Sequence, residues 1–325
     1  MKQTAIDANG SSSMGTMQTT IKATIEMAGI GVHSGRFTRV IMRPAIADTG
    51  ILFLRSDIGE DDGYVLAHAA NAIETQLCTT IKNKAGTEVR MIEHLMAAFH
   101  GLGIDNILVE LDGPEVPIYD GSSAMIVEAL NKAGIMPLDS HRTYLEILSP
   151  VRVQLDNGAW AQLSPAKSLQ LDIDIDFSDP GIGKQNLHFD MADEHFADEI
   201  ALARTFCMFS DVEKMRLAGF GKGGSLDNAL VYDEGKILNE GGLRMKDECV
   251  KHKALDCIGD LFLVGMPLIG CLSAHLPGHR LSTLLVQALL RDPSAYRIVL
   301  REGDISVAPS VEAVDATAVP LAASA

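Results

Sequence analysis

Four ionisable side chains share one face of a helix predicted over residues 248–262 (ECVKHKALDCIGDLF). At about 100° per residue, Lys253, Asp256 and Asp260 fall within about 100° of His252, while apolar residues fill the opposite side. A solvated helix face is the alternative interpretation, but such faces usually carry long Lys and Glu side chains. A His and an Asp one turn apart can bind one ion, so the pattern indicates a metal site.

The first half of the chain offers a third ligand. A catalytic zinc site normally takes three protein ligands and leaves one position for water. His94 lies in the segment EVRMIEHLMAAFHGLG, whose apolar residues predict a helix from about Val89 that stops at Gly101. The neighbouring Glu93 diverges from His94 by about 100° and can point at water on the metal. A surface Glu beside a core His is the alternative.

Composition limits the function classes. The 325 residues are 47% hydrophobic, which is enough for two cores, and the net charge of −16 argues against nucleic-acid binding. Five Cys without a CxxC pair favour a reducing, cytoplasmic setting. The longest uncharged run, Leu261–Ala274, is too short to span a bilayer and contains Pro267, so we expect no stable membrane insertion. No large exposed apolar patch is predicted, which favours a monomer.

The order of predicted elements repeats along the chain. Several strands precede a helix–strand–helix unit in each half, and DGSSAMIVEALNKAG in the first half parallels GHRLSTLLVQALLRD in the second. We therefore expect an α+β fold of two similar domains with a site in the cleft between them. Ordinary self-similarity of α+β chains is the alternative. The expected ranges are 1–17 (disordered tail), 18–141 (domain 1), 142–308 (domain 2) and 309–325 (flexible tail).

Two glycine-rich segments invite a nucleotide-binding interpretation. GFGKGG, residues 219–224, matches GxGxxG, but it follows the helical-looking DVEKMRLAG rather than a strand. GIGVHSG, residues 29–35, has the wrong spacing and is interpreted as a turn between strands. Neither segment predicts a dinucleotide site.

Motifs spread over residues 18–310 point together to one family: GIGVHSG, IEHLMAAFHGLGIDNILVEL, EVPIYDGSSA, LARTFCMF, GGSLDNALVYDE, LNEGGLR and VKHKALDCIGDL. With them the chain resembles the UDP-3-O-acyl-N-acetylglucosamine deacetylases, the zinc amidases of the committed step of lipid A synthesis in Gram-negative bacteria. The resemblance implies two α+β domains, each with helices packed on a sheet and with the active site at their interface. It agrees with the repeat described above.

The resemblance also implies the metal and the general base. His94, His252 and Asp256 match the ligands of one Zn²⁺ per chain, with Fe²⁺ as the alternative ion in the cell. Such a His₂Asp set leaves the fourth position for water. Glu93 matches the base that takes a proton as water attacks the N-acetyl carbonyl.

Three further residues match the family's catalytic groups. His279, in a Gly-His pair, matches the general acid that protonates the leaving amine. Asp260 matches the carboxylate that orients and charges this imidazole. Thr205, in ARTF, matches the residue that hydrogen-bonds the oxyanion.

The implied substrate, UDP-3-O-(3-hydroxyacyl)-N-acetylglucosamine, carries a diphosphate, a sugar and an acyl chain. Residues of about 207–238 match an insertion in domain 2 that forms a hydrophobic passage for the acyl chain. Lys253 and Phe206 are expected to bind substrate, and Phe177 is expected near the uracil.

One departure from the family concerns the diphosphate. This chain has Leu276-Pro277-Gly278-His279 where the family often has Lys-Ser-Gly-His. Either Arg280 or His275 replaces the missing cation, or the nucleotide is held more weakly. Two rival functions are also open. One is a zinc amidase or peptidase with another acyl donor. The other is a nucleotide-sugar-binding or regulatory protein with a structural metal, which would need four protein ligands.

Overall fold

The protein is described by a computed structural model that covers residues 17–75 and 77–300, and the backbone of 306–307. The two tails expected at 1–17 and 309–325 lie outside these residues, except for Met17, which begins the first strand. No helix in the described part of the chain has the length and apolar character needed to cross a membrane.

The first half of the chain contains strands, then a helix–strand–helix unit. Its elements are β1 (Met17–Ile21), β2 (Ile25–Ile30), β3 (Phe37–Pro44), β4 (Ile51–Arg55), α1 (Glu60–Gly63), β5 (Tyr64–Leu66), β6 (Ala72–Ile73), β7 (Thr80–Lys82), β8 (Glu88–Arg90), α2 (Glu93–Leu102), β9 (Ile107–Leu111), α3 (Ala124–Ala133) and β10 (Ile135–His141).

The second half repeats this order with an insertion before its site helix. Its elements are β11 (Thr143–Ile147), β12 (Val151–Gln154), β13 (Trp160–Ser164), β14 (Leu169–Asp176), β15 (Lys184–Asp190), α4 (Phe196–Glu199), β16 (Phe206–Met208), α5 (Phe209–Leu217), β17 (Leu230–Asp233), β18 (Lys236–Ile237), α6 (Glu248–Leu261), a 3₁₀ turn (Phe262–Val264), β19 (Leu268–His275), α7 (His279–Arg291), β20 (Tyr296–Leu300) and β21 (Ser306–Val307).

The main sheets of the two halves have the same strand order and the same strand directions. The first is β2-β3-β9-β4-β5, and the second contains β12-β13-β19-β14-β15. In each, the central strand is antiparallel to one neighbour (β3 or β13) and parallel to the other (β4 or β14). In each, one helix precedes the central strand and one follows it. The prediction of two similar α+β domains is confirmed; their boundaries stay a prediction.

Helices α2 and α6 pack against each other at the interface between the halves. Gly259 makes the close approach possible, because a Cβ there would lie 2.1 Å from the Glu93 carbonyl oxygen. One turn later, the His100 ring stacks on Phe262 with centroids 4.7 Å apart. Its Nδ1 lies 3.4 Å from the Ile258 carbonyl oxygen. His100 is therefore part of the packing between the helices.

The structure corrects the bounds of the helix predicted from Val89 to Gly101. Val89 lies in β8, which pairs with β7, and the helix begins at Glu93. The error arises because the buried residues of a short strand and the following helix happened to fit one helical period. Gly101 is inside the helix, where a Cβ would lie 2.2 Å from the Phe196 ring, and Gly103 with φ 69° ends it.

The insertion forms a small sheet, β16-β17-β18, together with α5. The glycine-rich loop 219–224 follows α5, as the helical pattern predicted. It contacts the other glycine-rich segment through backbone hydrogen bonds: Gly223 N–H donates to the Val32 carbonyl at 3.0 Å, and Lys222 N–H to the His33 carbonyl at 3.3 Å. Both segments therefore make structural contacts between the two halves.

Candidate active site

Three side chains from the facing helices come together in an arrangement that could hold a metal ion. His94 is at the start of α2, and His252 and Asp256 lie one turn apart on α6; their ligand atoms all lie within 4.8 Å of one another. Asp256 Oδ1 is 3.3 Å from His252 Nε2 and 3.8 Å from His94 Nε2. The two rings are nearly perpendicular, with centroids 5.0 Å apart.

The hydrogen bonds around this group fit a bound cation. Asp256 Oδ1 is buried and has no hydrogen-bond partner among the described residues, while Oδ2 accepts from Lys253 Nζ at 2.7 Å. His252 Nδ1–H donates to the Ala203 carbonyl at 3.0 Å, which leaves Nε2 with its lone pair toward the group. An unsatisfied buried carboxylate oxygen is costly unless a cation binds it.

The ionisation states also suit a cation. Burial, together with the charge of His252, lowers the pKa of His94 to about 3. Burial also lowers the pKa of His252, so both rings are neutral near pH 7, as metal ligands must be. Burial works against the charge of Asp256, but His252 and Lys253 hold the pKa of its carboxyl well below the usual range.

Glu93 lies beside the group and faces His279. Its Oε2 accepts from the backbone N–H of Thr79 at 3.0 Å, and its Oε1 is 3.6 Å from His279 Nε2. Glu93 is only 2% exposed. Burial raises the pKa of Glu93 to about 7, although the charge of His279 opposes the rise. A carboxylate in this state can accept a proton near neutral pH.

His279 is the first residue of α7 and is held by a carboxylate. Its Nδ1 lies 3.0 Å from Asp260 Oδ2. Burial disfavours the imidazolium, but Asp260 and Glu93 outweigh it and raise the pKa of His279 to about 9. The Thr79 hydroxyl donates to Asp260 Oδ1 and lies 3.1 Å from His279 Nδ1. Thr79 was not predicted as a site residue, because a Thr in the loop just before a short strand carries no chemical signature.

The segments that lead into the site helices are conformationally unusual. Met91 (φ 60°), Asp247 (φ 56°) and Leu276 (φ 52°) adopt left-handed backbone conformations shortly before α2, α6 and α7 begin. This region is disfavoured for side chains with a Cβ, and such residues cluster at functional sites. Tertiary packing therefore fixes the direction in which each site helix starts.

A buried ion pair attaches the ARTF segment to α6. Glu248, the first residue of α6, accepts from Arg204 Nε at 2.8 Å and from Arg204 N–H at 3.1 Å. The pair holds Ala203 where its carbonyl reaches His252. Thr205 follows, with its N–H donating to the Gly121 carbonyl at 2.8 Å. The half-buried Thr205 is thus close in the chain to Ala203, whose carbonyl orients His252.

The three expected substrate-binding residues lie close together on and beside α6. The Phe206 ring lies 6.4 Å from the His252 ring, and Phe177 packs edge-on against Phe206 at 5.2 Å. Lys253 Nζ lies 5.7 Å from the Phe206 centroid. The structure therefore brings Phe206, Phe177 and Lys253 together next to the candidate metal ligands.

The two basic residues considered for the diphosphate already have acidic partners. His275 Nδ1 is 2.6 Å from Asp174, and Arg280 Nε is 2.9 Å from Glu74. Either would have to exchange a carboxylate for a phosphate to replace the missing basic residue.

Known proteins are similar to this sequence over most of its length. A sequence model of the UDP-3-O-acyl N-acetylglycosamine deacetylase family matches residues 18–291. The UDP-3-O-acyl-N-acetylglucosamine deacetylase of Phenylobacterium zucineum is 46% identical over 281 residues, which are 86% of this chain and 96% of that protein. Those of Brucella ovis and Brucella abortus are 45% identical over 287 residues, 88% of this chain and 99% of theirs. These matches confirm the resemblance, and the chain belongs to the UDP-3-O-acyl-N-acetylglucosamine deacetylase family.

Proposed function

We propose that this protein hydrolyses the N-acetyl group of UDP-3-O-(3-hydroxyacyl)-N-acetylglucosamine, releasing acetate and leaving a free amine, in the committed step of lipid A synthesis. One observation carries the proposal. The unpartnered Asp256 Oδ1 lies between two neutral imidazoles, beside a buried Glu93–His279 pair, in a chain of this family. A structural metal would need a fourth protein ligand and would not need this pair.

His94, His252 and Asp256 would hold one Zn²⁺ per chain, a donor set that suits zinc, with Fe²⁺ as the alternative ion. When bound, the ion polarises the amide carbonyl and lowers the pKa of water. The Ala203 carbonyl keeps His252 in the ligating tautomer.

Glu93 is the general base of the proposed reaction. The Thr79 N–H occupies Oε2, so Oε1 is the oxygen that accepts the proton of the attacking water. Its raised pKa places proton transfer near working pH, where a base is most effective.

His279 is the proposed general acid. Its Nε2–H faces the side of Glu93 Oε1 and donates a proton to the amide nitrogen as the carbon–nitrogen bond breaks. Asp260 stabilises the imidazolium through Nδ1–H, so the acid is charged at neutral pH. Thr205, in the ARTF segment, is proposed to hydrogen-bond the oxyanion.

Apolar surface on the insertion supports the proposed acyl-chain passage. Large apolar side chains are exposed along this segment, including Phe209 at 54% and Leu217 at 83%. A 3-hydroxyacyl chain would cover such surface. Lys253 and Phe206 would contact the sugar end, with Phe177 toward the uracil.

The setting of the enzyme is proposed from its chemistry. The five cysteines are free in the structure, which suits a reducing cytoplasm. The acidic net charge disfavours binding to nucleic acid, and the proposed partner is the small-molecule substrate. The monomeric state stays a prediction.

The test is acetate release by the purified, zinc-loaded protein. UDP-3-O-(3-hydroxyacyl)-N-acetylglucosamine should be deacetylated much faster than UDP-N-acetylglucosamine, which lacks the acyl chain. Equal rates on both would favour another amidase, and a metal-loaded protein without turnover would favour a binding protein. Rates measured on substrates with a series of acyl-chain lengths would then show which length the proposed passage accepts best.

A further inference from the structure

Thr79 contacts both members of the proposed acid–base pair, which come from different halves of the chain. Its backbone N–H donates to Glu93 Oε2 at 3.0 Å. Its hydroxyl donates to Asp260 Oδ1 and lies 3.1 Å from His279 Nδ1. The residue is 2% exposed, so water does not compete for these contacts.

These contacts determine which atoms remain available. Because Thr79 N–H occupies Oε2, Glu93 presents Oε1 to its surroundings. The hydroxyl uses its single proton on Asp260, so its lone pair can share the Nδ1–H of His279 with Asp260 Oδ2. With Nδ1 fixed as the donor on that side, Nε2 of His279 is directed toward Glu93 Oε1, 3.6 Å away.

The backbone of Thr79 is itself held against the start of α2. Its carbonyl accepts from the N–H of Ile92, the residue before Glu93, at 3.4 Å, and Thr80 begins β7. Thr79 is therefore also held by main-chain contacts that do not involve the catalytic side chains.

We propose that Thr79 is a positioning residue that directs Glu93 Oε1 and His279 Nε2 toward the same scissile bond. The inference rests on the proposed function and deepens it. Thr79 touches no reacting atom, and its hydroxyl acts through Asp260 and His279.

The experiment compares three substitutions at this position with a neighbouring control. Thr79→Val keeps the shape and removes the hydroxyl, Thr79→Ser keeps the hydroxyl, and Thr79→Ala serves if the valine variant does not fold. Removing such a supporting hydrogen bond typically lowers activity about 10–100-fold. We expect that loss in kcat for Thr79→Val, with KM and bound zinc unchanged, and a rate near wild type for Thr79→Ser.

Thr80→Val is the matched control. Thr80 is also 2% exposed and adjacent in sequence, but its hydroxyl contacts the Cys78 thiol at 3.6 Å. Its kcat should stay near wild type. A kcat for Thr79→Val within twofold of wild type, or an equal loss in Thr79→Ser and Thr80→Val, would overturn the proposal.

A double-mutant comparison tests the route of the effect. If the hydroxyl acts through His279, Thr79→Val should lower the rate little further in a His279→Ala background. Full additivity would contradict that route. The ¹⁵N resonances of the His279 ring give a readout without turnover: Thr79→Val should shift Nδ1 and Thr80→Val should not. An unshifted Nδ1 overturns the proposal, whereas a wild-type protein that releases no acetate defeats the proposed function instead.

Discussion

Helices α2 and α6 occupy equivalent places in two halves with the same sheet topology, yet they present their functional groups differently. Helix α2 concentrates them in its first turn, with Glu93 and His94 adjacent, and the rest of the helix is largely apolar. Helix α6 distributes them along its length, with His252, Asp256 and Asp260 each one turn apart. Adjacent residues diverge in direction, whereas residues one turn apart converge.

The different spacing on the two helices directs their side chains to different partners. On α2, divergence lets His94 face the metal group while Glu93 faces His279. On α6, convergence puts His252 and Asp256 where both could bind one cation, and Asp260, one turn further, contacts His279, the proposed acid. The repeated fold therefore places the two helices at equivalent positions, and the spacing of the ionisable residues along each helix determines which groups they contact.

The largest expected effect comes from removing a ligand on either helix. His94→Ala and His252→Ala should each lose most of the bound zinc, and activity should fall further than the about 10²–10⁴-fold typical of a lost general base. Elemental analysis of the folded proteins gives zinc per chain. His100→Ala is the matched control on α2, because it should lower thermal stability and retain the metal. Full zinc in either ligand variant would contradict the assignment.

Glu93→Gln tests whether the neighbouring residues of α2 have separate roles. The metal should stay while kcat falls by about 10²–10⁴-fold, because the amide cannot accept a proton. Measured zinc content and single-turnover rates distinguish the two roles. Glu128→Gln, on the exposed surface of α3, should change neither. Zinc loss as large as that of His94→Ala would make Glu93 a ligand.

His279→Ala should slow the reaction by a similar order and leave zinc in place. In the wild type, the rate should rise with pH through about 7 as Glu93 loses its proton, and fall through about 9 as His279 loses its own. The rate–pH profile of the variant should lack the alkaline limb. If the limb persists unchanged, metal-bound water sets it instead. If only stability drops, with normal turnover per folded molecule, His279 merely caps α7.

Asp260→Asn is expected to have the smallest effect of these variants. The lost carboxylate raised the pKa of His279, so the alkaline limb should move to lower pH. The rate near pH 7 should fall less than in His279→Ala. Asp172→Asn, which alters a surface pair with His188, is the control and should leave the profile unchanged. An unmoved limb in Asp260→Asn would separate Asp260 from the acid.

The site residues on α6 could be predicted from the sequence. Many of the groups that surround them could not. His252, Asp256 and Asp260 fall on one face through helical geometry alone. His94 and Glu93 were candidates from the first-half helix, and the family resemblance added their roles as ligand and base. The Thr79 hydroxyl and the Ala203 carbonyl were missed, because only the tertiary fold brings them to His279 and His252. The start of α2 was misplaced for a similar reason, since strand pairing by β8 overrides the apolar period.

The contact at Gly259 has a mechanical consequence. Its Cα side lies directly on the Glu93 backbone, so the spacing of the helices is set by main-chain atoms with no side chain that could yield. The metal group takes His94 from one side of this contact and His252 with Asp256 from the other. Sliding or parting the halves would therefore separate His94 from His252 and Asp256, and a metal ion bound as proposed would lose one of its three protein ligands. Bound metal should accordingly stabilise the contact between the two halves, and removing it with a chelator should make the halves easier to separate.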